Sequence, residues 1–541
     1  IAEGLTASSA SMRLEDITYK DENGQGQYIA PEPEPEPEDL PIKAPEVFKK
    51  DRVVNAVGDD RKHDSYMSGM YGEKEYTAED PMIVDMNGHS LTINAEGTGW
   101  TFTDGILAAS KRNIKVKNDA GKTIDIKVKS DSLANGIRLS GSKNSLEIDG
   151  PVVIHDIHGT DDSANGVLVS GSGNIVLNGP VTIRDVHADK ANPTKYEVSA
   201  LVNNTDTGEL IVRGPVDISN IGGSAINAGY RDAKISIGGG RIMANTDISK
   251  IDNLVYSHGG IVNINMADEA KGITPSTLVM EGDIYLDGSG SKANANVNLQ
   301  DAQSSWKGHV RKNGYFSGEM NLHLSNGGTW IVAQSTATGI DDVQVDRIHG
   351  GASADKAGVI RPEEDKDVVI GRLSGYTKAI YAHEAGAPAT ILGGNLKVNN
   401  ADEGANITLI TDNTGLNTAS DAKEDKDLVN QTLNALAGKL YYNAYTGGQR
   451  NLTGTVQIAE GLTASSVTLK TGDITYKDKN GQGQYIAPVE PEPEPEKDFH
   501  NVPITGNTAE DAEPSQKPFL KEGILKNGFY TFDEDTTLTA K

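Results

Sequence analysis

The sequence predicts an all-β chain wound as a right-handed parallel β-helix with one short accessory helix, and three observations predict it. A unit of alternating strands recurs: ANGIRLSGSKNSLEIDGPVVIHDIHG from Ala134, ANGVLVSGSGNIVLNGPVTIRDVHA from Ala164, then SALVNNTDTGELIVRGPVDISNIGG from Ser199. Gly is abundant at 60 and aromatic residues make up only 5%, while Asn, Asp, Thr, Val and Ile crowd short segments, the composition of many short strands joined by tight turns. At 541 residues the chain exceeds one ordinary globular core. A stack of repeats escapes that limit because it lengthens without thickening.

In chain order, the first element is a duplication. The segment Ile1 to Pro31 recurs as Ile458 to Pro488 with 24 of 31 positions identical, a period of 457 residues. Each copy runs into a low-complexity tract, Pro31 to Glu38 and Pro491 to Glu496. Alternating Pro and Glu cannot pair in a sheet and should hold an extended, self-repelling polyproline II rod at about 3.1 Å per residue. The expected organisation is therefore 1–30 as the tail of a preceding repeat module, 31–38 as a linker, 39–80 as an irregular entry or cap segment, and 81–487 as the β-helix module. A second linker follows at 488–496, and 497–541 begin the next module. A terminal duplication within a single domain is the alternative, but it leaves the stiff tract after each copy unexplained.

Each unit from Ala134 to Gly223 contains three alternating strands, one triangular coil. The inward positions of the first face are expected to be Ile137 and Leu139, then Val167 and Val169, then Ala200 and Val202. The second face should stack Leu146 and Ile148 on Ile175 and Leu177, then on Leu210 and Val212. On the third, Val152 and Ile154 meet Val181 and Ile183, followed by Val216 and Ile218. Six aliphatics per coil, at roughly 1.5–3 kcal/mol each, oppose the ordering cost of the backbone. Outward positions vary freely, as in Arg138 against Leu168, Glu147 against Val176, and Val153 against Thr182 against Asp217. Gly150, Gly179 and Gly214 each precede a Pro and mark a corner, and the longer third unit puts its additional residues in a loop around Ala188 to Ser199. Strands of the same habit begin at Met82, Thr277, Asp367 and Ala389, so that about 14 coils at 4.8 Å would make a rod of roughly 65 Å. One helix interrupts them from Asp425 to Leu440, with Val429, Leu433, Leu436 and Leu440 on one face, expected to shield apolar surface on the side or end of the stack.

The formal charge of -27 and the lack of any Lys/Arg cluster argue against nucleic acid as a partner. Cysteine is absent, so disulfides, Cys-ligated zinc and thiol nucleophiles are excluded, in keeping with an exported protein. No run of about 18 apolar residues is present to insert into a membrane, and the start Ile-Ala-Glu-Gly-Leu carries neither an initiator Met nor a signal peptide, the reading expected of an internal or mature fragment.

The strongest local chemistry is His155, Asp156 and His158, stacked against Arg184, Asp185 and His187 one coil later. Two histidines a coil apart suit a metal, and converging carboxylates suit glycan cleavage. The third coil replaces the set with Ser219, Asn220 and Gly222, which favours a ladder of Asp and Asn bonding the turn backbone. No catalytic, cofactor-binding or metal-ligating residue is therefore assigned. Acidic pairs and triplets at Asp341-Asp342 and Glu363-Glu364-Asp365 would suit calcium, yet no EF-hand or Gly-Gly-x-Gly-x-Asp spacing supports it and solvated loops are expected. Nucleophile elbows, phosphate loops and HExxH motifs are absent.

Three segments give the chain a resemblance to the passenger domains of bacterial type V autotransporters, large adhesins above all. They are SSWKGHV at Ser304 to Val310, MNLHLSNGGTWIV at Met320 to Val332, and ANITLITDNTGL at Ala405 to Leu416. The resemblance implies that Trp306 and Trp330 cap or fill a wide part of the core. It further implies a non-catalytic module at the bacterial cell surface or outside the cell, acting in attachment or self-association. Partners would be a surface protein or glycan of host or bacterium, identical chains, and adjacent copies in a tandem array. The family's C-terminal barrel is not in this sequence, which leaves open a route through a separate partner barrel. A passive stalk lifting another domain is the second reading, and a polysaccharide-degrading β-helix enzyme the third.

Overall fold

A computed structural model describes residues 17–19, 26–28, 41–59, 66–72, 80–98, 102–161, 163–189, 198–243, 253–288, 292–313, 318–333, 343–442, 451–461, 467–476, 483–485, 523–526 and 529–532. The chain divides into two compact units, Ile1–Ile486 and Ala487–Lys541. In the second, the described residues form one antiparallel hairpin, Gly523–Lys526 with Phe529–Phe532. Both Pro-Glu tracts lie outside the described residues.

The first unit is a parallel β-helix. Its strands belong to two long sheets, and the coil beginning at Leu133 shows how. The strand Leu133–Ile148 runs along two faces, bending at Gly141, whose φ is +89°, and Val152–Gly159 forms the third. Ala164–Leu177 and Val181–Ala188 lie on them in parallel register, and Val198–Asn203, Glu209–Val212 and Val216–Ile221 lie on those. Parallel strands buried on one side and linked through turns need a continuous inner column, and the second and third faces supply it as expected: Leu146↔Ile175↔Leu210, Ile148↔Leu177↔Val212, Val152↔Val181↔Val216 and Ile154↔Ile183↔Ile218. All twelve are 2% exposed or less. Fourteen parallel strands stack on the third face from Arg52–Asp59 to Leu452–Ala459, which at about 4.8 Å per step is the roughly 65 Å rod expected.

The first face departs from its expected register. Val167 pairs with Leu201 and Val169 with Asn203, so Leu201 and Asn203 hold the places assigned to Ala200 and Val202. Ala200 lies at a one-residue skip in line with Gly136 and Gly166. An added Cβ on Gly166 would sit 2.6 Å from the Ala200 carbonyl oxygen, so backbone packs closely on backbone there, and the pairing keeps one register from Asn165↔Ser199 to Val169↔Asn203. The segment 39–80, expected to be irregular, already carries coil strands: Ile42–Ala44 pairs in parallel with Tyr66–Gly72, Glu46–Val47 with Met82–Asp85, and Arg52–Asp59 with Leu91–Thr98. Short strands with Lys, Glu and Pro between them hide that habit from a periodicity argument.

From Val343 onward, as at Leu133–Ile148 and Ala164–Leu177, each coil contributes a single strand to the larger sheet. Before Val343 the core holds two tryptophans. Trp306 and Trp330 are in register, fully buried and stacked with ring centroids 5.4 Å apart, and each indole N–H donates to a carbonyl, of Gly282 at 2.9 Å and of Gly308 at 3.1 Å. They fill the core, as the resemblance implied.

The helix spans Lys423–Ala437 and is the one α-helix among the described residues. Glu424 and Asp425 complement its positive end, where the N-cap Ala422 offers no side-chain bond. Leu433 and Leu436 are buried while Val429 is half-buried, and the helix lies against Ala387–Ile391 and Leu452–Ala459. Leu440 is not part of it: Leu440–Tyr442 is a coil strand paired with Leu396–Val398, because Gly438 releases the chain back into the wall.

After the last parallel strand the direction reverses. Val467–Tyr476 pairs antiparallel with Leu452–Ala459 and then with Gly483–Tyr485. The pairing Ile474↔Tyr485, Thr475↔Gln484, Tyr476↔Gly483 recurs in the first copy as Ile17↔Tyr28, Thr18↔Gln27, Tyr19↔Gly26. Three paired positions of the duplicated sequence therefore meet in the same antiparallel register in both copies.

Candidate binding surfaces

On the third face the expected stack is present. His155 is in register with Arg184 and Ser219, and His158 with His187. Between them the register skips at Asp156, Asp185 and Asn220, which adopt left-handed φ values of 53°, 58° and 53°. Short polar side chains that tolerate this region explain the Asp-Asp-Asn column. The bonds run between side chains and not to the turn backbone as expected. His155 has both ring nitrogens engaged, at 3.0 Å from Asp125 and 3.0 Å from Asp156, and Asn220 donates to Asp185 at 2.5 Å. Burial works to raise the Asp185 carboxyl, but the hydrogen bonds from Asn220 and Arg184 hold it below the ordinary value. His158 is occupied by Asp189 at 2.9 Å. Among the described residues no three His, Asp or Glu side chains converge to hold a metal.

Asp341 and Asp342 and the centre of the loop around Ala188 to Ser199 lie outside the described residues. Glu363 and Asp365 are exposed, as loop residues should be, but Glu364 is not. Its side chain is 14% exposed and stands 3.5 Å from Nε2 of the fully buried His309, and burial pushes its carboxyl up while lowering the histidine. Arg138 also departs from expectation: it points outward yet is 3% exposed, because Asp104 from the preceding coil takes both its Nε and Nη2 at 2.8 Å and the Phe102 ring lies 4.4 Å away.

Two outward arrangements were not legible in the sequence. On the first face Tyr256, Tyr285 and Arg311 form a column, with Tyr rings 5.7 Å apart and the guanidinium 4.9 Å from the Tyr285 ring. On the second, an amide ladder climbs the wall: Asn296 donates to Asn263 at 2.7 Å and Asn321 to Asn296 at 2.9 Å. The next rungs of that column are Arg347 and Arg372, and beside it His323 and His349 stack with ring centroids 4.4 Å apart. Burial, reinforced by the neighbouring imidazole, lowers His323 to about 4, and burial also lowers His349, so both rings are neutral at pH 7. From Asn296 upward these residues line a groove of about 440 Å³ together with Glu319, Asp346 and Gly371. Coil-spaced Asn would be the signal, but the spacings of 33 and 25 residues differ too much to be read as one column.

No protein-family model and no curated protein sequence matches the chain. Among solved structures the chain is similar to the crystal structure of the autotransporter UpaB from E. coli strain CFT073, at 14% identity, with 83% of this chain and 99% of that chain covered and a TM-score of 0.42. The parallel β-helix itself stands on the strand register described above, independently of this likeness.

Proposed function

We propose that the chain is a module of a bacterial surface or secreted adhesin of the autotransporter passenger kind, which binds through its outward faces and repeats in tandem. The observation that carries the reading is the contrast between the two sides of the wall. Inward columns are aliphatic along the coils, whereas outward columns are ladders of Asn, Asp, His, Arg and Tyr held by coil-to-coil bonds. Such pre-ordered polar surface suits many weak contacts, since little side-chain freedom is lost on binding. What supports the tandem arrangement is the hairpin of the repeated segment, which closes the last coil in its second copy and has the same internal register in its first. Tandem copies would multiply avidity wherever the Pro-Glu tracts let several modules engage together.

The test is attachment and aggregation of cells that display the chain against cells that lack it. Loss of both without the chain is the expected result. Unchanged attachment and aggregation, with a purified chain that binds no cell surface, would leave a passive stalk in its place. Turnover of pectin or hyaluronan that is lost in His155→Ala would make it an enzyme instead.

A further inference from the structure

The groove on the second face differs from the rest of the wall in how its charges are used. Glu319 is taken by Lys292, Asp346 by Lys312 and by the Met320 backbone N–H, and Arg372 by Asp402. Arg347, exposed between Asn321 and Arg372, has no partner among the described residues. The amide ladder also ends open at this point, because Asn321 donates to Asn296 while its own Oδ1 receives no bond from the rung above. His323 presents ring edges with no hydrogen-bond partner, and His349 is engaged only at 3.4 Å by the Ser374 hydroxyl. An unpaired planar fork of donors, a free amide oxygen and two uncharged imidazole edges thus converge on one polar groove of about 440 Å³. That size lies within the roughly 300–1,000 Å³ of small-ligand sites.

Resting on the adhesin reading, and naming what one of its surfaces takes, we propose that this groove binds a glycan through an isolated carboxylate: Arg347 grips the carboxylate of a uronate-type sugar while Asn321, His323 and His349 meet its hydroxyls. A guanidinium matches a carboxylate in a planar, two-bond fork, and amide and neutral imidazole groups both give and accept the bonds that hydroxyls need. A densely charged polymer is disfavoured, because Glu319, Asp346 and Asp402 surround the site and the whole chain carries -27. An extended peptide is disfavoured too. The strands that bear the site, Glu319–Leu324 and Val343–His349, are paired on both sides and offer no edge for strand addition.

The experiment titrates the purified full chain with an oligosaccharide bearing one glucuronate, with its carboxyl-reduced counterpart, and with a sulfated polysaccharide, by calorimetry and NMR. Binding of the first is expected, weakened about tenfold or more by carboxyl reduction or by Arg347→Ala, and only partly kept by Arg347→Lys, which retains charge but not the fork. Because Arg347 is exposed and unpartnered, the circular dichroism spectrum and melting temperature of Arg347→Ala should match the parent. Equal affinity for the reduced sugar, no change in Arg347→Ala, tighter binding of the sulfated polymer, or no glycan binding at all would each overturn the proposal. Attachment of cells displaying Arg347→Ala is scored separately: persistence there, beside failed glycan binding, would remove the groove's ligand and leave the adhesin reading standing.

Discussion

Single side chains in this wall act through neighbours one coil away. Trp306 and Trp330 stack in the core and each indole N–H donates to a carbonyl of the coil before its own, Gly282 and Gly308, so Trp330→Ala should cost about 3–5 kcal/mol, read as a lower denaturation midpoint by circular dichroism. Asp104 is fully buried and serves as the acceptor for Arg138 and Asn135, so Asp104→Ala should strand a buried guanidinium and also cost about 3–5 kcal/mol. Replacing both members by apolar residues should be far milder, and a double-mutant cycle measures the difference. His323 carries a pH dependence. The unfolded residue takes up its proton near 6.5 but the folded one only at about 4, because burial and the adjacent His349 oppose the charge. Stability from this site is thus fully present above 6.5 and falls as pH drops toward 4. Urea midpoints measured across that window should decline in the parent and decline less in His323→Gln; parallel curves would refute the assignment.

Corners and caps decide whether strands become coils. Gly150, Gly179 and Gly214 stack so closely that a Cβ on Gly179 would lie 2.1 Å from the Gly150 carbonyl oxygen. Gly179→Ala must move backbone in two coils, and a loss of about 1–3 kcal/mol is expected, seen as a lower melting temperature. The capping strand has a different task. Ile474, 6% exposed, helps hold Val467–Tyr476 across the edge of Leu452–Ala459. Ile474→Asp should loosen the cap and bare a row of unpaired N–H and C=O groups, so sedimentation should reveal concentration-dependent association absent from the parent. A monomeric, equally stable variant would mean that the hairpin does not guard the edge.

For the whole solenoid, each coil touches chiefly the coils beside it, so unfolding need not be all-or-none. Hydrogen exchange should show contiguous blocks, with the slowest amides where all three faces are continuous, between Ile124 and Ile242, and faster ones at Arg52–Asp59, whose stack begins there. One exchange rate throughout the rod would contradict nearest-neighbour stability. The fold was legible at this scale because a column of inward Val, Ile and Leu every second residue is a local property, and the second and third faces followed it residue for residue.

The sequence by itself determined the solenoid, the number of its coils, the inner columns of two of its three faces and the duplication, while the stacking of Trp306 on Trp330 came from the tertiary structure. Between Ala134 and Gly223 the sequence also placed outward residues in their columns, as with Arg138 against Leu168 and His158 against His187, and beyond that region the tertiary structure decided which residues share a column on the outside. Alternation along a strand specifies only in or out, whereas membership of a column depends on how many residues the corners consume, and these coils consume unequal numbers. The third coil set Leu201 and Asn203, not Ala200 and Val202, on Val167 and Val169, Asp104 buried an arginine 34 residues away, and Asn321, Arg347 and the two histidines met in a groove that no spacing rule announces.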